Sequence, residues 1–289
     1  MCLDAATVPS NNDTPTIISC PRDPPFRRSG GPLRDVKDGT EFTALIARVW
    51  RSSEAAIHER LDAVDAAGAA LLAGSLDDER RAAAIAAAHK LTGSLGTFGL
   101  PEGSELAGEL ETMLRAPGVP PPMRLSELAE RLRAIVTTGP AAIDTAEAAT
   151  TTATAEAGAD APVAALIDVV MVDDDIVLSR LVRHALETRG YSATVISDGR
   201  AAVDTLTGPA ALPCRLVLLD VDLPGLDGFG VLRQLAAAGV TARTPTIMLT
   251  VRASEREILE ALQAGAVDHV AKPFSVPVLM ERIRLALKR

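Results

Sequence analysis

The sequence predicts a multidomain chain: an N-terminal all-α four-helix bundle, then a C-terminal α/β domain built on a parallel five-stranded sheet. Three observations carry this. Apolar residues recur at helical spacing between residues 41 and 137. From residue 165 onward, short apolar runs alternate with amphipathic helical segments. Between them, residues 138–164 are Ala, Thr, Glu, Gly and Asp with almost no large apolar side chain, the texture of a low-complexity linker.

Residues 1–40 are rich in Pro, Asn, Asp, Ser and Arg without periodicity and read as a disordered arm. In the first helix Ile57, Leu61, Val64, Gly68 and Leu71 mark one face. Ser75, Asp77, Asp78 and Glu79 crowd the start of a second helix, where acidic groups favour free N–H ends. That helix continues to Leu95 or beyond. A third carries Leu106, Leu110, Met113 and Leu114, the segment 117–122 breaks the pattern with prolines, and a fourth carries Leu125, Leu128, Leu132 and Ile135. Four amphipathic helices with short connections form a bundle.

In the second domain a strand over Ile167–Val172 leads into Asp173, Asp174 and Asp175. A helix bearing Leu178, Leu181, Val182, Ala185 and Leu186 ends at Gly190. Strands over Tyr191–Ile196, Leu216–Leu219, Thr246–Leu249 and His269–Ala271 follow. The helices between them are expected over Arg200–Leu206, Gly228–Ala238 and from a Ser254/Glu257 capping box to Gly265, with a last one from about Val276. Such alternation predicts a parallel sheet covered on both faces, in the flavodoxin-like order 2-1-3-4-5, with its crevice at the carboxyl ends of the strands.

Composition narrows the function. The 289 residues suit two domains, and with 47% hydrophobic but 2% aromatic residues the cores must be aliphatic. A net charge of −9 without a basic block argues against nucleic acid as the main partner. Cys2, Cys20 and Cys214 have no metal-binding spacing and suit a reduced compartment. No apolar run reaches the roughly 18–20 residues needed to span a bilayer, and the N-terminus lacks the pattern of a secretory signal. The expectation is a soluble, cytoplasmic protein. A DNA-binding regulator is not expected, because no residues remain for an output domain after Arg289.

The strand ends concentrate chemistry. Asp173, Asp174, Asp220, Thr250 and Lys272 all fall at carboxyl ends that meet on one edge of the sheet. Converging carboxylates repel unless a hard cation sits among them, and an all-oxygen donor set suits Mg²⁺. Such an ion would neutralise an incoming phosphoryl group, the hydroxyl and ammonium would bind its remaining oxygens, and a carboxylate so placed is a nucleophile that forms an acyl phosphate. Each element also has a plainer reading, with the aspartates as helix caps and Lys272-Pro273 as a turn.

Taken together, these motifs resemble a response-regulator receiver domain from Val169 to Arg289. They are Val172-Asp173-Asp174, Asp220-x-Asp222-x-Pro224-x-x-Asp227-Gly228, Thr250 and Lys272-Pro273-Phe274. The resemblance implies Asp220 as phosphoacceptor. It implies Asp174 and Asp220 as magnesium ligands, with support from Asp173 and the Asp222 backbone carbonyl. Thr250 and Lys272 would contact the phosphoryl group, and His269 would take the place of an aromatic switch residue. Val251 departs from the small residue usual there and narrows access to Asp220. A haloacid-dehalogenase-type phosphatase is the enzymatic alternative, but in those enzymes the nucleophile strand opens the domain.

On the second helix Ala84, Ala88, Leu91 and Leu95 form one stripe, and His89 lies roughly 140° from its centre, toward solvent. Gly93 and Gly96 share the His89 face. Glycine inside a helix costs about 1 kcal/mol relative to Ala, so clearance for another protein's active site is the simplest reason for the pair. An exposed imidazole with a pKa of about 6.5 is largely neutral near pH 7 and nucleophilic toward an acyl phosphate. His89 as an ordinary surface histidine is the alternative. The run His89-Lys90-Leu91-Thr92-Gly93-Ser94, continuing through Gly96-Thr97-Phe98-Gly99-Leu100, resembles the active helix of histidine phosphotransfer domains across residues 42–137. The resemblance implies His89 as the phosphorylated residue. Thr92 stands where the family often has Lys, and Lys90 lies on a different side of the helix. His58 and His184 carry no functional mark.

The combined expectation is a two-component phosphorelay protein with Mg²⁺ as cofactor and a sensor histidine kinase and other receivers as partners. Its activity is phosphotransfer without conventional turnover. A receiver-switched adaptor with a degenerate helical domain is the non-catalytic alternative.

Overall fold

The structure is a computed structural model describing residues 39–140, 166–208, 210–251 and 255–288. Most of the arm, the linker beyond Pro140 and the Ser254 cap lie outside the described residues.

The N-terminal part comprises α1 (Gly39–Leu72), α2 (Asp78–Thr97), α3 (Pro101–Arg115) and α4 (Pro122–Thr138). The expected stripes point inward: Ile57, Leu61, Val64, Ala84, Ala88, Leu91, Leu95, Leu106, Leu110, Leu114, Leu125, Leu128 and Leu132 are all buried. The Asp77 carboxylate accepts from the Arg80 amide and starts α2. Gly99, in the left-handed region at φ +84°, turns the chain into α3. Trp50 and Phe98 meet edge to face with centroids 5.2 Å apart, tying α1 to the end of α2.

The C-terminal part alternates β1 (Ile167–Val172), α5 (Ile176–Thr188), β2 (Ala193–Ile196), α6 (Gly199–Thr207), β3 (Cys214–Asp220), α7 (Gly228–Ala237), β4 (Thr246–Thr250), α8 (Glu255–Gln263), β5 (Asp268–Ala271) and α9 (Val276–Ala286). All pairings are parallel and the order is β2-β1-β3-β4-β5. Strand alternation sorts the core: Val169, Met171, Leu216, Leu218, Ile247 and Leu249 pack with α5 and α9. Val170, Val172, Val217, Leu219 and Met248 pack with α6, α7 and α8. β2 begins two residues later than expected. The Tyr191 amide bonds the Leu186 carbonyl to close α5, and Ser192 bonds the Asp168 carboxylate, so neither starts the strand.

β1 lies between β2 and β3, so the chain leaves it toward opposite faces and a crevice opens between the ends of β1 and β3. Asp173–Asp175 and Asp220 stand at that point. A Cβ on Gly228 would lie 2.0 Å from the Asp220 carbonyl oxygen, so only glycine lets α7 start against the end of β3. Gly228→Ala is expected to destabilise the protein by about 1–3 kcal/mol in denaturant unfolding, as overpacking against fixed backbone does.

Candidate functional site

Asp173, Asp174 and Asp220 each offer a carboxylate oxygen to one point, the three lying within 4.8 Å of one another. Asp173 and Asp220 are buried, 1% and 4% exposed. The buried Lys272 ammonium, brought in at the end of β5, lies 2.8 Å from Asp173 Oδ2 and 2.9 Å from Asp220 Oδ1. Its backbone amide donates to the Thr250 carbonyl, so the ends of β4 and β5 are locked together. Thr250 is itself buried. His269 lines a small pocket with Thr250, Val221 and Phe229, beside the region where a switch would act. Val251 lines the cleft over Asp220 together with His89, Lys90, Gly93 and Lys272.

Burial pushes the Asp220 carboxyl up to about 7, with neighbouring Asp173 adding to the shift and Lys272 opposing it. Asp173 is raised too, chiefly by burial. Burial alone would lower Lys272, but attraction to both carboxylates outweighs it and keeps the ammonium charged. One buried cation among three carboxylates leaves excess negative charge. The oxygen-only donor set fits the chemistry of a hard divalent ion.

The helical residues face this same cleft. His89 is not solvent-directed as helix geometry suggested: its side chain is 17% exposed, between α3 and the turn after β3. Its Nδ1 lies 3.2 Å from Glu111 Oε1 and its Nε2 3.3 Å from Asp222 Oδ2. These two hydrogen bonds, Asp222 first, raise its pKa to about 9, so in this arrangement the imidazole is cationic at pH 7 rather than neutral. The same bond holds Asp222 below the usual carboxylate range. Burial would raise Glu111, but the bonds from His89 and Arg115 hold it below. Lys90 also corrects its expected placement, since its ammonium reaches Asp174 Oδ2 at 2.8 Å. Thr92 turns the other way, toward Gly108 on α3, and bonds the Ala88 carbonyl. Asp222, expected to contribute its backbone carbonyl, enters the site through its side chain.

Two residues escaped the sequence reading. Glu111 is a buried acid on α3 beside Leu110 and Leu114. A charge next to the core stripe, with Arg115 one turn on, was the signal. Arg60 on α1 gave none, yet it donates to both carboxylate oxygens of Asp175 at 3.2 and 2.6 Å.

A family model described as the response regulator receiver domain matches residues 169–284, and one described as the Hpt domain matches residues 50–152. The chain therefore carries an Hpt domain followed by a receiver domain. Both are modules of two-component phosphorelay signalling. Among curated proteins, the phosphate regulon transcriptional regulatory protein PhoB of Rhizobium meliloti (strain 1021) is 40% identical over 121 residues, 42% of this chain and 52% of that one. The uncharacterized transcriptional regulatory protein YkoG of Bacillus subtilis (strain 168) is also 40% identical over 121 residues, 42% of this chain and 51% of that one. The chain thus spans about half the length of the curated relatives it matches. Among solved structures, the receiver domain of a sensor histidine kinase from Pseudomonas aeruginosa PAO1, with magnesium coordinated in its active-site cleft, is 30% identical. It covers 43% of this chain and 100% of that one, at a TM-score of 0.38. Among the described residues no helix is long and apolar enough to cross a membrane.

Magnesium at about 100 times its dissociation constant is expected to raise the unfolding free energy by about 2.7 kcal/mol, and Asp174→Asn to remove most of that gain in thermal melts. His89 is expected to titrate near 9 by NMR, and Asp222→Asn to move it toward 6.5. Because the folded pKa is the raised one, the stabilisation from this pairing is full below 6.5 and is lost as pH rises through about 9.

Proposed function

We propose that this chain is a phosphorelay intermediate in which Asp220 of the receiver accepts a phosphoryl group from a sensor histidine kinase and His89 of the Hpt domain exchanges phosphoryl groups with a receiver. The domains divide as residues 41–137 and 165–289, joined by the linker 138–164 and preceded by the arm 1–40, and the protein works in the cytoplasm. The observation that carries this reading is the convergence of Asp173, Asp174, Asp220 and Lys272 in one cleft.

Asp220 is the nucleophile. Its carboxylate oxygen attacks phosphorus, the P–N bond to the kinase imidazole breaks, and that nitrogen keeps the electron pair. The Lys272 ammonium and Thr250 hydroxyl hold the transferred oxygens. Magnesium, when bound by Asp173, Asp174, Asp220 and the Asp222 carbonyl, supplies the positive charge that offsets these oxygens and favours ionised Asp220. Val251 restricts approach to the carboxylate. Occupation of the cleft shifts the Thr250–His269 region and reshapes the surface beyond it.

His89 works in the reverse polarity. The Nε2 proton passes through Asp222 to water, the freed lone pair attacks phosphorus, and the leaving group departs as a carboxylate. Nδ1–H stays donated to Glu111, which fixes the tautomer and steadies the positive ring.

Incubation with acetyl phosphate and magnesium is expected to give one base-labile phosphoryl group in the wild type. Asp220→Asn should lose it entirely, and His89→Gln should keep it while losing acid-labile phosphohistidine. Steady hydrolysis of phosphomonoesters, or base-labile labelling that survives Asp220→Asn, would contradict the reading.

A further inference from the structure

We propose that His89 and Asp220 of one and the same chain form an exchange pair, the Hpt domain being docked on its own receiver so that phosphoryl transfer runs in cis. This deepens the proposed function and rests on it.

The interface is built from charge, close packing and apolar surface together. Arg60 and Asp175 form a two-pronged ion pair with side chains only 11% and 6% exposed. Asp175 simultaneously caps α5, accepting from the Val177 and Leu178 amides, so Arg60 grips the start of a receiver helix. Removing either partner would leave the other as a buried, unpaired charge. Lys90 holds Asp174 and His89 holds Asp222, placing neighbouring residues of α2 on two sides of the Asp220 cleft. Arg180 of α5 donates to the Ser52 carbonyl of α1 at 2.9 Å. The buried apolar residues of the bundle and of the α5–α9 face form a single contiguous cluster.

The glycines of α2 supply the fit. A Cβ on Gly96 would stand 2.3 Å from Pro273 Cβ, and one on Gly93 3.6 Å from Lys272 Cδ. The clearance that the sequence reserves for a receiver is therefore filled by the segment that closes this chain's own β5. His89, Lys90, Gly93, Asp220 and Lys272 line one shared cleft. In the exchange the P–O bond to Asp220 breaks as the P–Nε2 bond to His89 forms, with the Nε2 proton leaving by way of Asp222. The same docking covers Asp220, so an external kinase or receiver must displace the Hpt domain to reach it, and a small phosphodonor need not.

The test is kinetic. Full-length protein is loaded with acetyl phosphate and magnesium, and acid-labile phosphohistidine is followed against dilution, with labelling of Asp220→Asn alone as the background for direct reaction at His89. In cis, the wild-type rate does not change with protein concentration. An equimolar mixture of His89→Gln and Asp220→Asn chains slows on dilution and at micromolar protein runs roughly 10²–10³-fold slower, since tethering gives an effective concentration near millimolar. Gly96→Ala, which favours the isolated helix, is expected to cut the wild-type rate roughly tenfold, equivalent to about 1.4 kcal/mol of lost docking. A wild-type rate that scales with concentration, a mixture as fast as the wild type, or an unaffected Gly96→Ala would overturn transfer in cis. Failure to label Asp220 at all would instead overturn the function on which it rests.

Discussion

The buried ammonium of Lys272, shared between Asp173 and Asp220, is the interaction on which the rest of the structure depends. Without it, the ends of β1 and β3 would bring bare carboxylates into a low-dielectric pocket, a cost their burial already announces in the raised Asp220. Lys272 brings that charge from the end of β5, at the far side of β4, so the strand order is what places it between the two buried carboxylates. A single lysine does not balance the cluster. The residual negative charge suits a divalent cation and is met from α2 by Lys90 at Asp174.

That second attraction explains the state of His89. An imidazole between Glu111 and Asp222 is a partly buried cation with two acceptors, not a free nucleophile. Glu111 belongs to the bundle and stays with the histidine. Asp222 belongs to the receiver, so its contact with the histidine exists only in the docked arrangement. Docking and protonation of His89 are therefore linked: the contact that brings the ring to Asp220 also charges it, and a proton must leave before nitrogen can attack. Arg60, Lys90 and the glycine face bear on the receiver beside the histidine.

Local periodicity and motif spacing were enough to read the bundle, the sheet order and the receiver residues, because these depend on which residues neighbour each other along one element. Asp173, Asp174, Asp220 and Lys272 meet as the topology requires, while Thr250 lines the neighbouring pocket with His269. His89 shows where that logic stops. Its angle to the Ala84–Leu95 stripe was right for one helix alone, but α3 and the receiver cover the face that the wheel left open. Lys90, nominally on another side, reaches the same cleft because the receiver wraps more than one face of α2. Glu111 and Arg60 act through contacts between elements, Arg60 across 115 positions of sequence, and no window along the chain can register that.

Manganese, substituted for magnesium in the isotope-labelled full-length protein, tests the central arrangement most directly. The cleft account expects selective paramagnetic broadening at the amides of Asp173, Asp174, Asp220 and Val221, extending to His89 and Gly93 on α2. Broadening spread over unrelated surface acids would contradict the shared metal cleft. Broadening confined to the receiver, with α2 untouched, would contradict the docking of the histidine helix upon it.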